Sequence, residues 1–277
     1  MEKRIGLVVH GAEAAMQKVR EVASAVDSFG AKLFAEDTAA QRLSLPALSS
    51  CDAPLHFVLS IGGDGTLLRG VQWALAWNVP LLGINMGRLG FLTEAEPDAL
   101  EAYIPRLMCG DYRLEDRSLL HITNGSQEWT ALNDAVITRG GYARLITMEV
   151  RVDAEWMGLF VADGLVVATP TGSTAYSLSA GGPVVAPGVD CNIITPICAH
   201  SLQHRPTLTA GNATIQLKMG ADLQQRGVLQ IDGRNCMELS SGDEITIQRS
   251  RQKLQLVRFQ DLQFFYRVHS KLKEWTQ

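Results

Sequence analysis

The N-terminal part of the chain alternates short apolar runs with segments of helical periodicity. Apolar residues recur at helical spacing from Ala15 to Val26, with Gly30 as the expected C-cap, and again over Leu67–Trp77. Strands that alternate with helices indicate βαβ units and a parallel sheet. The apolar runs that we predict as its strands are Ile5–Val9, Ala31–Phe34, Phe57–Ile61 and Pro80–Ile84.

The pattern changes near Tyr112. Beyond this point the apolar runs are short, rich in β-branched residues, and separated by turn sequences such as Asn124-Gly125. These features predict an antiparallel β domain, followed from Leu254 by one more strand and a short amphipathic helix. The runs predicted as strands of the β domain are Ser118–Thr123, Glu128–Thr138, Ile146–Val152, Leu159–Ala168, Thr214–Lys218, Val228–Ile231 and Glu244–Gln248.

Composition places the chain among globular proteins with a substantial core, since 46% of its 277 residues are hydrophobic and 19% are charged. The net charge of −4 gives no reason to expect nucleic acid or an anionic membrane as a partner, so an anionic substrate would need a local positive site. No segment is apolar over the length of a membrane span, and the N-terminus lacks the apolar segment of a secretory signal.

Five cysteines are scattered and never form a CxxC pair, so we predict reduced thiols and a cytoplasmic protein. Each cysteine is more simply a small buried side chain than a catalytic thiol. The six histidines lack metal-ligand spacing, and we therefore predict no zinc and assign no metal ligand.

The strongest local signal is the sequence Gly62-Gly63-Asp64-Gly65-Thr66, which follows a buried strand and precedes a helix. Glycines let the backbone approach a ligand closely, and a helix N-terminus offers unpaired N–H groups and the positive end of its dipole. We interpret the segment as a phosphate loop, although it has neither the Walker A nor the GxGxxG pattern. An acidic residue repels phosphate, so Asp64 needs another task, such as accepting a proton from a hydroxyl. The alternative is an ordinary strand–turn–helix corner in which Asp64 is a capping residue.

Two further polar segments interrupt apolar surroundings. Arg88 follows the strand that ends at Ile84, on the predicted rim of the phosphate loop, and fits either a phosphate contact or a solvated loop. Asn133-Asp134 places an amide and a carboxylate inside an apolar strand, where burial without partners costs roughly 2–7 kcal/mol. These two groups fit either a β-bulge or hydrogen bonds to a ribose.

A long segment of small and hydroxylated residues follows the strand that begins after Asp163. Small side chains let such a loop pack on a flat ring, and Tyr176 could stack on a ligand or supply a hydroxyl. A plain surface loop is the alternative. The residues of the segment that we single out are Thr171, Gly172, Ser173, Thr174, Ala175, Tyr176, Ser177 and Ser179.

Together these segments resemble the bacterial NAD kinase family over essentially the whole chain. GGDGT alone also occurs in lipid kinases of the diacylglycerol and sphingosine type, whereas the combination of motifs is specific. The motifs that carry the resemblance are Gly62–Thr66 (GGDGT), the Asn-acidic pair Asn133-Asp134, Asp163-Gly164, and Thr171–Ser177 (TGSTAYS).

The resemblance implies an α/β plus all-β protein, with a Rossmann-like N-terminal domain, a C-terminal β-sandwich, and a C-terminal tail that returns to the first domain. We place the α/β domain with its phosphate loop at residues 1–112, the dinucleotide-binding sandwich at 113–252 and the tail at 253–277. The family also implies NAD and ATP as substrates, Mg²⁺ or another divalent cation with ATP, and a homodimer or homotetramer.

The same resemblance implies a role for each motif. Asp64 would accept the proton of the 2′-hydroxyl of the adenosine ribose, while Asn133 and Asp134 would hold ribose hydroxyls or the adenine edge. The residues implied to face phosphates are Gly62, Gly63, Gly65 and Thr66. The residues implied to line the dinucleotide pockets, in part from a neighbouring subunit, are Asp163, Thr174, Ala175, Tyr176, Ser177 and Ser179, with Arg69, Arg144 and Arg234 as basic contacts.

Three positions depart from the family pattern. Asp134 stands where Glu is usual, Arg234 where many relatives have Gln, and Val161 where relatives selective for oxidised NAD have a basic residue. The shorter Asp134 moves a hydrogen bond, Arg234 alters one contact to the dinucleotide, and Val161 leaves the choice between NAD and NADH open.

Two other functions compete with this interpretation, a lipid kinase of the same superfamily and a non-catalytic nucleotide sensor. The Asn-acidic pair and the TGSTAYS segment argue against the lipid kinase. A pure binding module has little use for a carboxylate in a phosphate loop, so Asp64 argues against the sensor.

Overall fold

The computed structural model describes residues 2–86, 90–94, 100–141, 145–201, 203–260 and 264–275. The chain divides into two compact units. The first combines Met1–Asp116 with Leu254–Gln277, and the second is Arg117–Lys253.

The elements of the N-terminal part are β1 (Arg4–Val9), α1 (Glu13–Ser28), β2 (Lys32–Ala35), α2 (Asp37–Leu43), β3 (Phe57–Gly62), α3 (Asp64–Trp77), β4 (Leu81–Asn85), α4 (Leu100–Cys109) and β5 (Arg113–Arg117). The strands that follow are β6 (Leu120–Thr123), β7 (Glu128–Ala131), β8 (Asp134–Arg139), β9 (Ile146–Val152), β10 (Glu155–Ala162), β11 (Gly164–Ala168), β12 (Cys191–Ile197), β13 (Thr207–Ala210), β14 (Ile215–Met219), β15 (Arg226–Ile231), β16 (Arg234–Ser240), β17 (Glu244–Arg249) and β18 (Leu254–Arg258). The remaining helices described are α5 (Tyr176–Ser179) and α6 (Phe264–Trp275), with 3₁₀ turns at Leu48–Ser50 and Thr171–Thr174. Among the described residues, no helix combines the length and the apolar character of a membrane span.

A six-stranded sheet in the order β2-β1-β3-β4-β18-β5 forms the centre of the first unit. The pairs β1–β2, β1–β3, β3–β4 and β4–β18 are parallel. Strands β3 and β4 are buried along their whole length, as their continuous apolar runs predict. Helix α1 contributes Val19, Val22 and Val26 to the same core as Leu7 and Leu59. The predicted Rossmann-like α/β fold of this part is confirmed.

The C-terminal strand β18 belongs to this first sheet. It pairs in parallel with β4, where Leu256 lies opposite Leu81, and it buries Leu254 and Val257 as well. The strand ends at Arg258, whose side chain is only 3% exposed. The expected return of the tail to the first domain is therefore confirmed, and β18 separates β4 from β5.

Two antiparallel sheets of six strands form the second unit, in the orders β10-β9-β14-β17-β6-β7 and β13-β12-β11-β8-β15-β16. Side chains of both sheets share one core, in which Met148, Ile215 and Ile247 of the first sheet lie with Ile137 and Val167 of the second. Two sheets that enclose one core form a β-sandwich. The predicted C-terminal β-sandwich is confirmed.

Two runs that the sequence pattern predicts as single strands are broken in the structure. Glu128–Thr138 contains β7 and most of β8, and Leu159–Ala168 contains the end of β10 and all of β11. In both cases the two strands belong to opposite sheets of the sandwich, and the breaks fall at Leu132-Asn133 and at Asp163. A chain that passes from one sheet to the other must leave its ladder at a corner, so polar residues inside these apolar runs mark the crossings.

Strands β5, β12, β13 and β16 and helices α2 and α4 are not predicted from the sequence. Pro196 interrupts the apolar run of β12, and polar residues fill much of β16, so neither strand shows the usual alternation. Helix α3 begins at Asp64, three residues before the helical periodicity that starts at Leu67, so Asp64 belongs to the first turn of the helix.

Leu256→Ala tests how much the returning strand contributes to stability. Leu256 is 1% exposed, and removal of a buried leucine side chain leaves a cavity, so we expect the free energy of unfolding to fall by about 2–5 kcal/mol. The matched change Leu223→Ala, at a position 80% exposed, should alter it by less than about 0.5 kcal/mol. Urea denaturation measures both variants. If both variants changed the free energy of unfolding by the same small amount, β18 would contribute little to the core.

Candidate active site

The glycine loop joins the buried strand β3 to the first turn of α3, with Gly63 as the N-cap of the helix. Gly63 and Gly65 are exposed, and no atom lies within 4 Å of the place that a Cβ would occupy on either residue. Open space beside the first N–H groups of a helix is a favourable site for an anion. The geometry thus suits phosphate at Gly63 and Gly65.

Gly62 and Thr66 form the packed base of this loop. A Cβ atom on Gly62 would lie 2.7 Å from the Cβ of Thr66, so only glycine fits there without displacing the helix. The Thr66 side chain is 3% exposed, and its N–H donates to the Gly63 carbonyl at 3.0 Å. Thr66 therefore supports the loop from below, and its hydroxyl does not face solvent.

The carboxylate of Asp64 is held by the backbone of the segment that follows β4. Its Oδ2 accepts from the Phe91 N–H at 2.9 Å, and its Oδ1 accepts from the Leu92 N–H at 3.2 Å. A Cβ atom on Gly90 would lie 2.9 Å from the Asp64 Cγ, so this approach requires glycine. Each carboxylate oxygen has two lone-pair directions, which leaves a second one on each oxygen for a hydroxyl.

Arg69, five positions along α3 from Asp64, lies at a cavity of the first unit. Its Nη2 donates to the Val9 carbonyl at 2.6 Å and to Glu36 Oε2 at 3.1 Å. The cavity has a volume of about 550 Å³, and Trp73 is part of its lining. The guanidinium expected to contact the dinucleotide is therefore already engaged at the ends of β1 and β2.

In the second unit, Asp232 holds the corner between β7 and β8. Its Oδ2 accepts from the Leu132 N–H at 2.8 Å, and its Oδ1 accepts from those of Asn133 at 2.8 Å and Asp134 at 3.1 Å. Asp232 and Gly233 have φ angles of 47° and 77°, which fit the two-residue turn of a β-hairpin between β15 and β16. One side chain thus fixes the backbone of the Asn-acidic pair.

The Asp134 carboxyl is buried, with 4% of the residue exposed. Burial and then the negative charge of Asp232 raise its pKa to about 7, while a hydrogen bond from the Tyr176 backbone N–H acts in the opposite direction. Burial also raises the pKa of Asp232, against the effect of its three backbone donors and of nearby Arg234. The structure therefore brings together Asp134, Tyr176, Asp232 and Arg234.

The TGSTAYS segment forms a 3₁₀ turn and the single helical turn α5. It packs on the corner, since a Cβ atom on Gly172 would lie 2.8 Å from the Cα of Asn133. Several hydroxyls hold the segment itself: Ser173 Oγ donates to the Val185 carbonyl at 3.1 Å, and Ser177 Oγ lies 2.9 Å from the hydroxyl of Thr195.

The exposure of this segment divides its residues into two groups. Thr174 and Ser177 are buried, and Thr174 Oγ1 donates to the Thr171 carbonyl at 3.3 Å. Tyr176 is 39% exposed and Ser179 is exposed, with Ala175 half-buried. A ligand on this surface would therefore meet Ala175, Tyr176 and Ser179 directly.

Asp163 lies apart from the Asn-acidic pair within one chain. It precedes β11, in which Ala168 pairs with Asp134 at the far end, and its Oδ1 lies 3.1 Å from the Nε of Arg139. Five strand residues separate the two ends, a distance of about 17 Å. Arg88 and Arg144, both named from the sequence, lie outside the described residues.

Sequence reasoning misses the residues that hold the two candidate motifs in place. Asp232 is visible only as part of a turn sequence, and Arg258 only as a charged residue at the end of the apolar run of β18. Glu94, which binds the Phe259 N–H, and Arg267, which binds the Thr93 carbonyl, carry no local sequence signal. Within the described ranges, no group of three or more His, Cys, Asp or Glu side chains is placed to hold a metal ion.

Both parts of the chain match models of known protein families. The model described as ATP-NAD kinase N-terminal domain matches residues 5–112, and the one described as ATP-NAD kinase C-terminal domain matches residues 132–259. A curated protein of Symbiobacterium thermophilum, named NAD kinase, is 40% identical over 261 residues, which cover 91% of this chain and 92% of that protein.

Two solved structures share the fold. Yeast NADH kinase complexed with NADH aligns with a TM-score of 0.83 at 24% identity, over 96% of this chain and 86% of that chain. An NAD kinase from Archaeoglobus fulgidus in complex with ATP aligns with a TM-score of 0.74 at 25% identity, over 99% of both chains.

Asp134→Asn tests the buried carboxyl at the corner. The pKa of Asp134 rises from 3.8 to about 7 on folding, so the folded protein keeps a proton that the unfolded chain releases. The resulting stabilisation is complete below about pH 4 and is lost as the pH rises through about 7. The variant lacks this titration, so its free energy of unfolding relative to the unaltered protein should rise between about pH 5 and pH 8, by on the order of 1–3 kcal/mol.

Urea denaturation of both proteins at the two pH values measures this difference. A difference that stays constant between them would contradict the raised pKa. A difference that falls with pH would mean that folding favours the ionised form of Asp134.

Proposed function

The chain belongs to the ATP-NAD kinase family, and we propose that it transfers the γ-phosphoryl group of ATP to the 2′-hydroxyl of the adenosine ribose of NAD, with Asp64 as the general base. Family membership supports NAD kinase activity, and relatives named NAD kinase share 36–43% of their aligned residues with this chain. The ATP complex of the Archaeoglobus fulgidus relative supports ATP as the donor.

The position of Asp64 is the observation that carries the proposed mechanism. It is a carboxylate in a loop otherwise suited to anions, between the exposed Gly63 and Gly65. Such a group repels phosphate and is useful there only if it does chemistry on the acceptor. Accepting the proton of the attacking hydroxyl contributes about 10²–10⁴-fold to the rate. The Phe91 and Leu92 N–H groups fix its orientation.

The donor phosphates would lie at the N-terminus of α3. The backbone N–H groups of Gly63 and Gly65, together with the helix dipole, offer positive charge without a lysine or arginine in the loop. Mg²⁺ usually keeps several waters and binds substrate phosphates, so in this proposal it would enter with the triphosphate and leave the free lone pairs of Asp64 for the hydroxyl. The ion, when bound with ATP, would neutralise charge on the triphosphate.

The second unit would hold the dinucleotide. We assign ribose and adenine contacts to Asn133 and to the Asp134 carboxyl, and the ring contacts to Tyr176. Support comes from the fixed backbone of the corner, the hydrogen bond between Asp134 and Tyr176, and the exposure of the tyrosine ring. Further contacts in this proposal come from Ala175, Ser179 and Arg234, while the buried Thr174 and Ser177 would shape this surface from behind.

Asp163 would act on a dinucleotide held by a second copy of the chain. About 17 Å of strand β11 separates it from the Asp134 end, a span too long for both residues to touch one ribose. A homodimer or homotetramer resolves this separation, because an equivalent strand of another subunit can bring its Asp163 to the site.

The five cysteines are free thiols, and we place the reaction in the cytoplasm.

The assay that tests the proposal measures 2′-phosphorylated product from NAD, NADH and diacylglycerol, each with Mg-ATP. We expect NADP from NAD. Asp64→Asn should lower kcat by about 10²–10⁴-fold while the KM for NAD changes little, because the carboxamide cannot accept the proton. Asp27→Asn, an exposed change on α1 of the same unit, should leave kcat unchanged.

Each other outcome has a distinct meaning. Product from diacylglycerol alone would identify a lipid kinase. Binding of NAD without product from any acceptor would identify a nucleotide sensor. Unchanged kcat in Asp64→Asn would remove the base from the mechanism, and equal turnover of NADH would show that Val161 permits dual specificity.

A further inference from the structure

The segment that holds Asp64 is itself held by the C-terminal part of the chain. Arg258, at the end of β18, donates from Nη1 to the Leu92 carbonyl at 2.9 Å and to Glu94 Oε2 at 3.2 Å. The other oxygen of Glu94 accepts from the N–H groups of Phe259 at 2.9 Å and Gln260 at 3.0 Å. The side chains of Arg258 and Glu94 are 3% and 2% exposed, so this ion pair is fully buried.

A second arginine, Arg267 of α6, spans the same segment. Its Nη1 lies 2.5 Å from the Thr93 carbonyl oxygen and 3.4 Å from that of Gly90. One guanidinium therefore joins the first and the fourth residue of the turn that contains Phe91 and Leu92. Its side chain is 13% exposed, and its Nη2 lies 4.0 Å from Glu94 Oε2.

A single peptide group links this arginine to the catalytic carboxylate. The carbonyl of Gly90 and the N–H of Phe91 belong to the same peptide unit. Arg267 donates to the Gly90 carbonyl oxygen of this peptide. The Phe91 N–H of the same peptide donates to Asp64 Oδ2 at 2.9 Å. A cation on the carbonyl side polarises the peptide, which strengthens the N–H as a donor and orients it.

The placement of two cations here is unfavourable in isolation. Burial lowers the pKa of the Arg267 guanidinium, the charge of Arg258 lowers it further, and Glu94 and Asp64 act in the opposite direction. Buried charges are unfavourable unless carboxylates and carbonyls surround them. Glu94 and the backbone carbonyls of Gly90, Leu92 and Thr93 surround the two guanidinium groups. The positions of these cations are therefore coupled to the geometry of the Asp64 side chain.

We infer that Arg267 is a positioning residue for the phosphoryl-transfer step, because it fixes the peptide that aims the Asp64 carboxylate. The inference rests on the proposed role of Asp64 as the base. Arg267 needs no contact with either substrate, so its effect should fall on turnover and not on binding. Loss of the guanidinium frees the Gly90–Phe91 peptide, and a displacement of about 1 Å at a reacting group reduces rates by up to about 10²-fold.

Arg267→Met, which keeps an unbranched chain and removes the donors, provides the first test. We expect kcat to fall about 10- to 100-fold, with little change in the KM of NAD or ATP. Arg267→Lys, which keeps the charge and can reach one carbonyl, should recover part of the loss. Arg106→Met is the matched control, because Arg106 packs on the Phe259 ring of the same tail at 5.0 Å and pairs with Asp111. Its kcat should equal that of the unaltered protein.

A double-mutant cycle with Asp64→Asn separates positioning from general support of the fold. If Arg267 acts through Asp64, Arg267→Met should add little to the loss in the Asp64→Asn protein. The same fold-loss in both backgrounds would overturn the inference, as would unchanged kcat in Arg267→Met or a rise in KM alone. Where thermal denaturation shows that Arg267→Met does not fold, Arg267→Lys takes its place in the cycle under the same criteria.

The proposed function and this inference fail in different ways. Absence of NADP from the unaltered protein, or full turnover in Asp64→Asn, would refute the proposed function or its base. NAD phosphorylation that depends on Asp64 but not on Arg267 would leave the function in place and refute only the positioning role.

Discussion

The chemistry assigned to the glycine loop depends on one interaction, the pair of hydrogen bonds by which the N–H groups of Phe91 and Leu92 hold the Asp64 carboxylate. The first turn of a helix stabilises a negative charge but does not orient a side chain. Two donors on separate oxygens fix the plane of the carboxylate, and Gly90 allows the approach that they require. In the proposed reaction, a carboxylate oriented in this way lowers the cost of reaching the transition state.

At Asp64 the backbone fixes a side chain, whereas at the corner of the second unit a side chain fixes the backbone. There a carboxylate, Asp232, collects three backbone N–H groups and so fixes Asn133 and Asp134. The consequence is a second carboxyl buried beside the first, which raises the pKa of Asp134 to about 7. Rigid presentation of a polar pair is therefore linked to a loss of stability at neutral pH, a compromise often found at functional sites.

The sequence predicts what depends on neighbours along the chain and misses what depends on distant ones. The buried parallel strands, the glycine loop and the small-residue segment can be predicted from the sequence, because periodicity and local composition determine them. Asp232 lies 98 residues from Asp134, and Arg267 lies 177 residues from Gly90, so no local pattern connects them. The broken runs at Asn133 and Asp163 show the same limit, because a polar residue within an apolar run does not tell whether the strand after it belongs to the same sheet or to the other one.

The position of β18 has a consequence for the order in which the protein becomes functional during synthesis. The ribosome makes the glycine loop early, and it makes β18 and α6 only after the whole sandwich. Until then the first sheet lacks the strand between β4 and β5, and the Asp64 segment lacks both of its arginines. A nascent chain therefore carries every residue of the glycine loop long before it carries the two arginines that bind the segment around Asp64.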